Sequence, residues 1–210
     1  MDLYLIRHGE STANLNKEHA AWLPVPLTEL GKEQARAAGQ LLKDIPFDRF
    51  YCSDVYRTEQ TFDCIFGEEH PRIDCELLRE ANSGELAGKK HTDCAAEYGA
   101  LYDRIRETWE FNLVGGESAD QVKERGAAFL REMEALPEDV KYVAAVSHGG
   151  LIRGIAAHIV DSPLGGFPLI VSNCGICVLR YKRKTGQWQI VHWNVGGKLA
   201  QDNATDGIGK

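Results

Sequence analysis

The chain has 210 residues, 43% hydrophobic and 26% charged, the balance of a globular protein whose core needs no disulfide or metal staple. A formal net charge of −7 lacks the basic footprint of a nucleic-acid binder, although a few local arginines are enough to hold a small anion. No apolar run approaches membrane-spanning length and the first residues show no basic-plus-apolar leader, so a cytoplasmic location is expected.

Residues 2–6 read as a short buried strand ending at Arg7. Thr28 stands as the N-cap of a helix in which Ala35, Ala38, Leu41 and Leu42 recur with helical period. Residues 47–52 form a second strand candidate, and Ser53 offers a cap for a helix running to about residue 65. Residues 71–80 look extended, and 81–116, rich in glycine, charge and aromatic rings, read as irregular. Ser118 and Gln121 make a capping box for a helix to about Leu136. A strand at 142–146 and a helix at 149–160 follow, then a hairpin of 175–181 and 188–193 turning at Lys184-Thr185-Gly186. From Gly196 the chain is polar and is expected to fray. Strands alternating with helices imply one α/β domain over 1–210, its mostly parallel sheet covered on both faces and mixed by the terminal hairpin.

Six cysteines are spread along the chain. Cys174 and Cys177 have C-x-x-C spacing, but no second pair or nearby histidine pair completes a zinc site, so both read as reduced residues packed in or near a strand.

Three strand ends gather the chemistry. Arg7-His8-Gly9-Glu10 follows the first strand, Ser53 through Arg57 the second, and Ser147-His148-Gly149-Gly150 the strand at 142–146. Ligands of open α/β sheets bind beyond the carboxyl ends of strands. A phosphate monoester is dianionic and repels anionic nucleophiles, whereas a neutral imidazole attacks phosphorus without that repulsion. Arginine forks answer the charge on the transferred phosphoryl oxygens, helix N-terminal N–H groups near Gly149 add fixed dipoles, and one carboxyl group can protonate the leaving oxygen and then activate water.

The run Leu5-Ile6-Arg7-His8-Gly9-Glu10-Ser11-Thr12-Ala13-Asn14 resembles the signature of the histidine phosphatase superfamily, the group that includes cofactor-dependent phosphoglycerate mutases. The resemblance continues through Pro26-Leu27-Thr28-Glu29-Leu30-Gly31, Ser53-Asp54-Val55-Tyr56-Arg57-Thr58, Leu78-Arg79-Glu80, Gly115-Gly116-Glu117-Ser118 and Val146-Ser147-His148-Gly149-Gly150. It implies a three-layer α/β/α sandwich of the phosphoglycerate mutase type, with no metal or organic cofactor. It implies His8 as the phosphorylated nucleophile, Glu80 as proton donor and later base, and Arg7, Arg57 and His148 completing the phosphate pocket. Asn14 lies where the family has an additional pocket residue.

The implied activity is hydrolysis of a small phosphomonoester through a phosphohistidine. A mutase, or a phosphate-binding pseudoenzyme, is the alternative. Mutases of the family tend to carry a longer insertion between the acid and the second histidine, and an aromatic residue where Ser83 stands. Small phosphatases often show G-E-W-E-G, of which Gly84-Glu85-Leu86-Ala87-Gly88 keeps the frame without the tryptophan. Residues 81–116 are the expected substrate lid, in which Lys89, Lys90, Arg104 and Arg106 read as solvated residues rather than readers of extra substrate charge. His19, His70, His91, His158 and His192 read as surface or packing residues, and Trp22 as packing more than substrate wall.

Overall fold

A computed structural model describes residues 1–197. Most of the polar tail expected to fray therefore lies outside the described residues. Six strands form one sheet: β1 (Asp2–Arg7), β2 (Arg49–Cys52), β3 (Ile73–Asp74), β4 (Tyr142–Ser147), β5 (Ile176–Lys182) and β6 (Gln187–Val195), in the order β3-β2-β4-β1-β5-β6. β1 pairs in parallel with β4, β4 with β2, and β2 with β3, while β5 runs antiparallel to both β1 and β6. The sheet is mostly parallel and mixed by its terminal hairpin, as expected.

Alternation along β1 builds the three layers. Leu3 and Leu5 enter one core with Val122, Phe129 and Met133 of α6 (Ala119–Glu134) and Leu151, Ile152 and Ile155 of α7 (Gly149–Ile159). Ile6, on the other face, joins Ala35, Ala38 and Leu42 of α2 (Glu29–Leu42) and Phe62 of α3 (Tyr56–Phe66). Burial on both faces explains why β1 and β4 read as near-continuous apolar runs. Thr28 caps α2 by accepting from the Gly31 N–H at 3.0 Å, and Ser118 and Gln121 form the reciprocal box on α6. A Cβ on Gly31 would fall 2.0 Å from the Glu10 carbonyl oxygen, so only glycine lets α2 start against the segment that follows β1.

The sequence expectations need three corrections. Ser53 does not cap α3: the helix begins at Tyr56 behind Val55, which supplies no side-chain cap. Ser53 still belongs to the sheet ladder, its N–H donating to Val146 O at 2.9 Å. The 71–80 stretch is extended only at β3 and then makes a 3₁₀ turn at Glu76–Leu78. Residues 81–116 are not irregular: they contain α4 (His91–Tyr98), α5 (Ala100–Thr108) and 3₁₀ turns at Gly84–Leu86 and Phe111–Val114. Each of these helices buries only one or two side chains, Cys94 on α4 and Tyr102 and Ile105 on α5. At eight and nine residues, each is also too short to show a helical period over more than about two turns.

All six cysteines are free thiols. Cys174 packs in the core against α2 and α3 and Cys177 in the core against α6 and α7, so the pair straddles the sheet. Burial pushes both thiols up to about 12, keeping them protonated and inert. Among the described residues no helix is long and apolar enough to cross a membrane.

Candidate active site

The parallel register sets Arg7 opposite Ser147, so His8 and His148, the next residues, leave adjacent strands side by side. Their rings are 5.2 Å apart and both are buried. Arg57, in the first turn of α3, reaches between them, donating from Nε to His8 Nε2 at 3.2 Å and from Nη2 to His148 Nδ1 at 3.0 Å. The carbonyls of Ala21 and Leu23 hold the same guanidinium at 2.7 and 3.3 Å.

These partners assign the tautomers. A guanidinium only donates, so His8 Nε2 and His148 Nδ1 are bare nitrogens. A carbonyl only accepts, so His8 Nδ1 carries the proton it shares with Gly9 O at 2.7 Å. His148 Nε2 then donates to Ser53 Oγ at 3.0 Å. Burial first, then the charge of Arg57, holds both imidazoles well below their ordinary titration range, with Arg7 adding to the effect on each. Burial lowers Arg57 to about 10, which leaves it charged at neutral pH. Asn173, unmarked in the sequence, donates its amide to His8 O at 3.0 Å and braces the same turn.

Arg7 is buried beside Gly149 and donates to Val171 O at 2.6 Å. Glu80 enters from the loop after the 3₁₀ turn. One carboxylate oxygen accepts from the Ala81 N–H at 2.8 Å, the other from the Gly150 N–H in the first turn of α7 at 3.2 Å. A Cβ on Gly150 would lie 2.2 Å from Glu80 Oε1 and 2.7 Å from the Trp109 ring, so glycine is required for the carboxylate to approach the helix. Asn14 lines the cavity, and its Oδ1 caps α1 (Thr12–Asn16) by accepting from Ser11 N–H and Oγ at 3.1 and 3.0 Å.

Arg7, His8, Asn14, Arg57, Glu80 and Gly149 all border one cavity of about 160 Å³, whereas His148 sits just behind it, reached through Arg57. The cavity also takes in residues that sequence reasoning set aside. His19, His91 and Tyr102 form a hydrogen-bonded cluster on its wall, with Arg106 over the Tyr102 ring. Their separation in sequence, from the loop after α1 to α5, hid the grouping. Lys89, by contrast, is engaged by Glu97 and Tyr98. Trp22 is partly exposed and donates from Nε1 to Glu80 O at 2.8 Å, holding the loop of the carboxylate rather than lining the cavity.

The buried imidazoles make stability depend on pH in a stated direction. His8 and His148 are held neutral, and burial with His91 and Arg106 lowers His19 to about 3. In the unfolded chain each titrates near pH 6.5, so below that value the unfolded state binds protons that the folded state refuses. Stability contributed by these neutral rings is therefore complete above about pH 7 and declines as pH falls through about 6.5 toward the lower folded values. Calorimetry in phosphate-free buffer should show a lower melting temperature at pH 5.5 than at 7.5, with net proton uptake on unfolding. A flat profile would show that the rings protonate in place.

A doubly covered, mostly parallel sheet with two buried histidines at adjacent strand ends and two buried arginines beside them defines an α/β protein with a cationic pocket at the carboxyl ends of its strands. The family model "Histidine phosphatase superfamily (branch 1)" matches residues 3–196, and the chain belongs to that superfamily. It is 34% identical over 160 residues to 2,3-bisphosphoglycerate-dependent phosphoglycerate mutase 2 of Gloeobacter violaceus, covering 73% of each chain. It is 31% identical over 166 residues to the adenosylcobalamin/α-ribazole phosphatase of Salmonella typhimurium, covering 78% of this chain and 81% of that one. In structure it resembles the α-ribazole phosphatase of Shigella flexneri, with a TM-score of 0.82 at 24% identity over 94% of this chain and 98% of that one, a likeness of fold.

Proposed function

We propose that the protein is a phosphatase that hydrolyses a small phosphomonoester through a phosphohistidine on His8, without a metal. The observation that carries this reading is the bare Nε2 of His8, its partner nitrogen tied to Gly9 O and its lone pair facing the Arg57 guanidinium. A phosphoryl dianion entering the cavity exchanges the two Arg57–histidine bonds for bonds to its own oxygens, with Arg7 as the second guanidinium. Nε2 attacks phosphorus and the ester P–O bond breaks. The departing oxygen takes the proton of the Glu80 carboxyl. Water then attacks phosphorus, gives a proton to Glu80, and the P–N bond breaks with its electron pair returning to Nε2. His148, neutral in the empty site, gains a favourable partner for its own protonation when the dianion arrives. The segment 81–116 serves as the cover over the leaving group.

Relatives of both kinds, mutase and phosphatase, match the chain at similar identity. The two activities differ in whether water or a bound product takes the phosphoryl group. The test is p-nitrophenyl phosphate in excess EDTA, run beside a phosphoglycerate isomerisation assay. Nitrophenol and stoichiometric phosphate support the phosphatase. Isomerisation without net phosphate release would establish a mutase and overturn the reading.

A clamp behind Glu80 gives a further prediction. Arg125 of α6 makes a two-bond fork to Glu117 at 2.9 Å each and donates to the carbonyls of Leu77, Arg79 and Glu80 at 3.0, 2.5 and 3.0 Å. Glu117 in turn accepts from the Asn82 N–H at 2.7 Å. Arg125→Met removes every one of the Arg125 bonds at once and leaves part-buried acceptors unpaired. It is expected to slow alkyl esters by about 10–100-fold while slowing p-nitrophenyl phosphate much less, because nitrophenolate departs without an acid. Equal slowing of both would assign Arg125 to general stability instead.

A further inference from the structure

Two histidines that take no part in the phosphoryl-transfer scheme are brought together by the backbone. The stretch after α1 meets the start of α4 through an antiparallel bridge between Glu18 and Lys90. The His19 N–H donates to Lys89 O at 3.0 Å, the His91 N–H to Lys17 O at 2.9 Å, and the Gly88 N–H to His19 O at 2.7 Å. Residues one place either side of a bridge share a face, so His19 and His91 project to the same side. Their rings meet edge to face with centroids 4.3 Å apart. Tyr102 of α5, itself buried, ends at the same point. His91 Nδ1 and Tyr102 Oη are 2.7 Å apart, and His19 Nε2 is 3.0 Å from each of them.

Hydrogens cannot satisfy this triangle. A ring nitrogen either carries a hydrogen and donates or is bare and accepts, and a phenol has one hydrogen. A hydrogen placed between the two rings cannot also serve the contact of its own nitrogen with the phenol, whose hydrogen goes to the bare nitrogen. At most two of the three contacts are hydrogen bonds, and the third holds two polar atoms close together with no hydrogen of its own.

A divalent cation would satisfy all three. Zinc binds imidazole nitrogen at about 2.0–2.1 Å and oxygen at a similar distance, so donors sharing one face of its tetrahedron stand about 3.3 Å apart. The separations here fall short of that by roughly 0.3–0.6 Å, which small side-chain rotations can supply. Two imidazoles and an oxygen anion are donors that suit this metal. Among the described residues no group of three imidazoles, thiols or carboxylates is placed to hold a metal ion, so the third donor is the phenol oxygen. Both histidines are half-buried and border the cavity, which gives an ion its way in. Arg106, its guanidinium carbon 5.9 Å from the Tyr102 ring, acts in both directions: its charge opposes the ion and favours the phenolate that would bind it.

We propose that His19 Nε2, His91 Nδ1 and Tyr102 Oη form a Zn²⁺ site, with a fourth position for water, that ties the segment 81–116 to the loop whose Ala21 and Leu23 carbonyls hold Arg57. Each imidazole binds through a bare nitrogen with its hydrogen on the other ring nitrogen, and the phenol gives its proton to solvent as the Zn–O bond forms. The ion takes no part in phosphoryl transfer, so the proposal stands apart from the phosphatase reading.

The test is calorimetric titration of Zn²⁺ into the metal-free full chain, in phosphate-free buffers of different ionisation enthalpy. Wild type is expected to bind one ion at micromolar concentration or tighter and to release one proton. His19→Gln and His91→Gln are each expected to weaken binding by at least about 100-fold, beyond the roughly 10–100-fold that loss of a supporting hydrogen bond costs a metal site. Tyr102→Phe keeps the ring and is expected to weaken binding by at least about 10-fold and to abolish the proton release. Failure of wild type to bind, or undiminished binding in any of the three variants, overturns the proposal. Where a variant fails to fold, an anomalous difference map at the zinc edge from wild-type crystals grown with Zn²⁺ decides the site. A peak among the three side chains supports it, and a peak elsewhere or none overturns it.

Discussion

His8→Ala is expected to reduce turnover of every phosphomonoester by at least about 10³-fold and to abolish the covalent intermediate. The size follows from the role proposed for Nε2: without it no phosphoenzyme forms, and the remaining guanidiniums only bind and polarise the ester. The rest of the pocket should persist. Arg57 keeps its bonds to His148 and to the carbonyls of Ala21 and Leu23, so phosphate or vanadate should still bind the variant. The measurement is a rapid acid or base quench with ³²P-labelled substrate. Wild type should yield a base-stable, acid-labile phosphoprotein, and His8→Ala none. Undiminished turnover in His8→Ala would assign the nucleophile elsewhere, and the proposed mechanism would fall with it.

Glu80→Gln should separate the two chemical steps. An amide retains the shape of the side chain and can still accept from the Gly150 N–H, but it cannot give up a proton. Transfer from an alkyl ester is expected to slow by about 10²–10⁴-fold, since an alkoxide must leave unprotonated. Transfer from p-nitrophenyl phosphate should remain fast, because nitrophenolate needs no acid. Hydrolysis of the phosphohistidine then loses its base, so nitrophenol should appear as a burst of about one equivalent followed by a slow phase. A uniform slowing with no burst and no dependence on leaving group would remove Glu80 from both steps and leave it as a packing residue.

Local signals in the chain were enough to place the main elements. Thr28, and Ser118 with Gln121, mark helix starts that the structure confirms by hydrogen bond. The apolar runs of β1 and β4 announce strands buried on both faces. Those signals are short-range: a cap needs a side chain within three residues of an orphan N–H, and a buried strand needs only its own apolar residues. Ser53 shows where such reasoning fails. Its type suits an N-cap, yet the sheet ladder continues through it and its hydroxyl is taken by His148, a residue far along the chain. The helices within 81–116 escaped notice because they bury little of themselves.

By itself the sequence determined an α/β chain with its arginines and histidines at three strand ends, because strand alternation and the positions of His8, Arg57 and His148 are properties of neighbouring residues. Only the tertiary structure decided that Arg57 bridges both imidazoles, that His8 presents a bare Nε2, that Arg125 and Glu117 hold the Glu80 loop, and that His19, His91 and Tyr102 meet on the wall of the same cavity. Each of these arrangements depends on groups distant in sequence meeting out of water. There, burial sets protonation and leaves some polar atoms for a ligand to satisfy, and neither effect exists until the chain has folded.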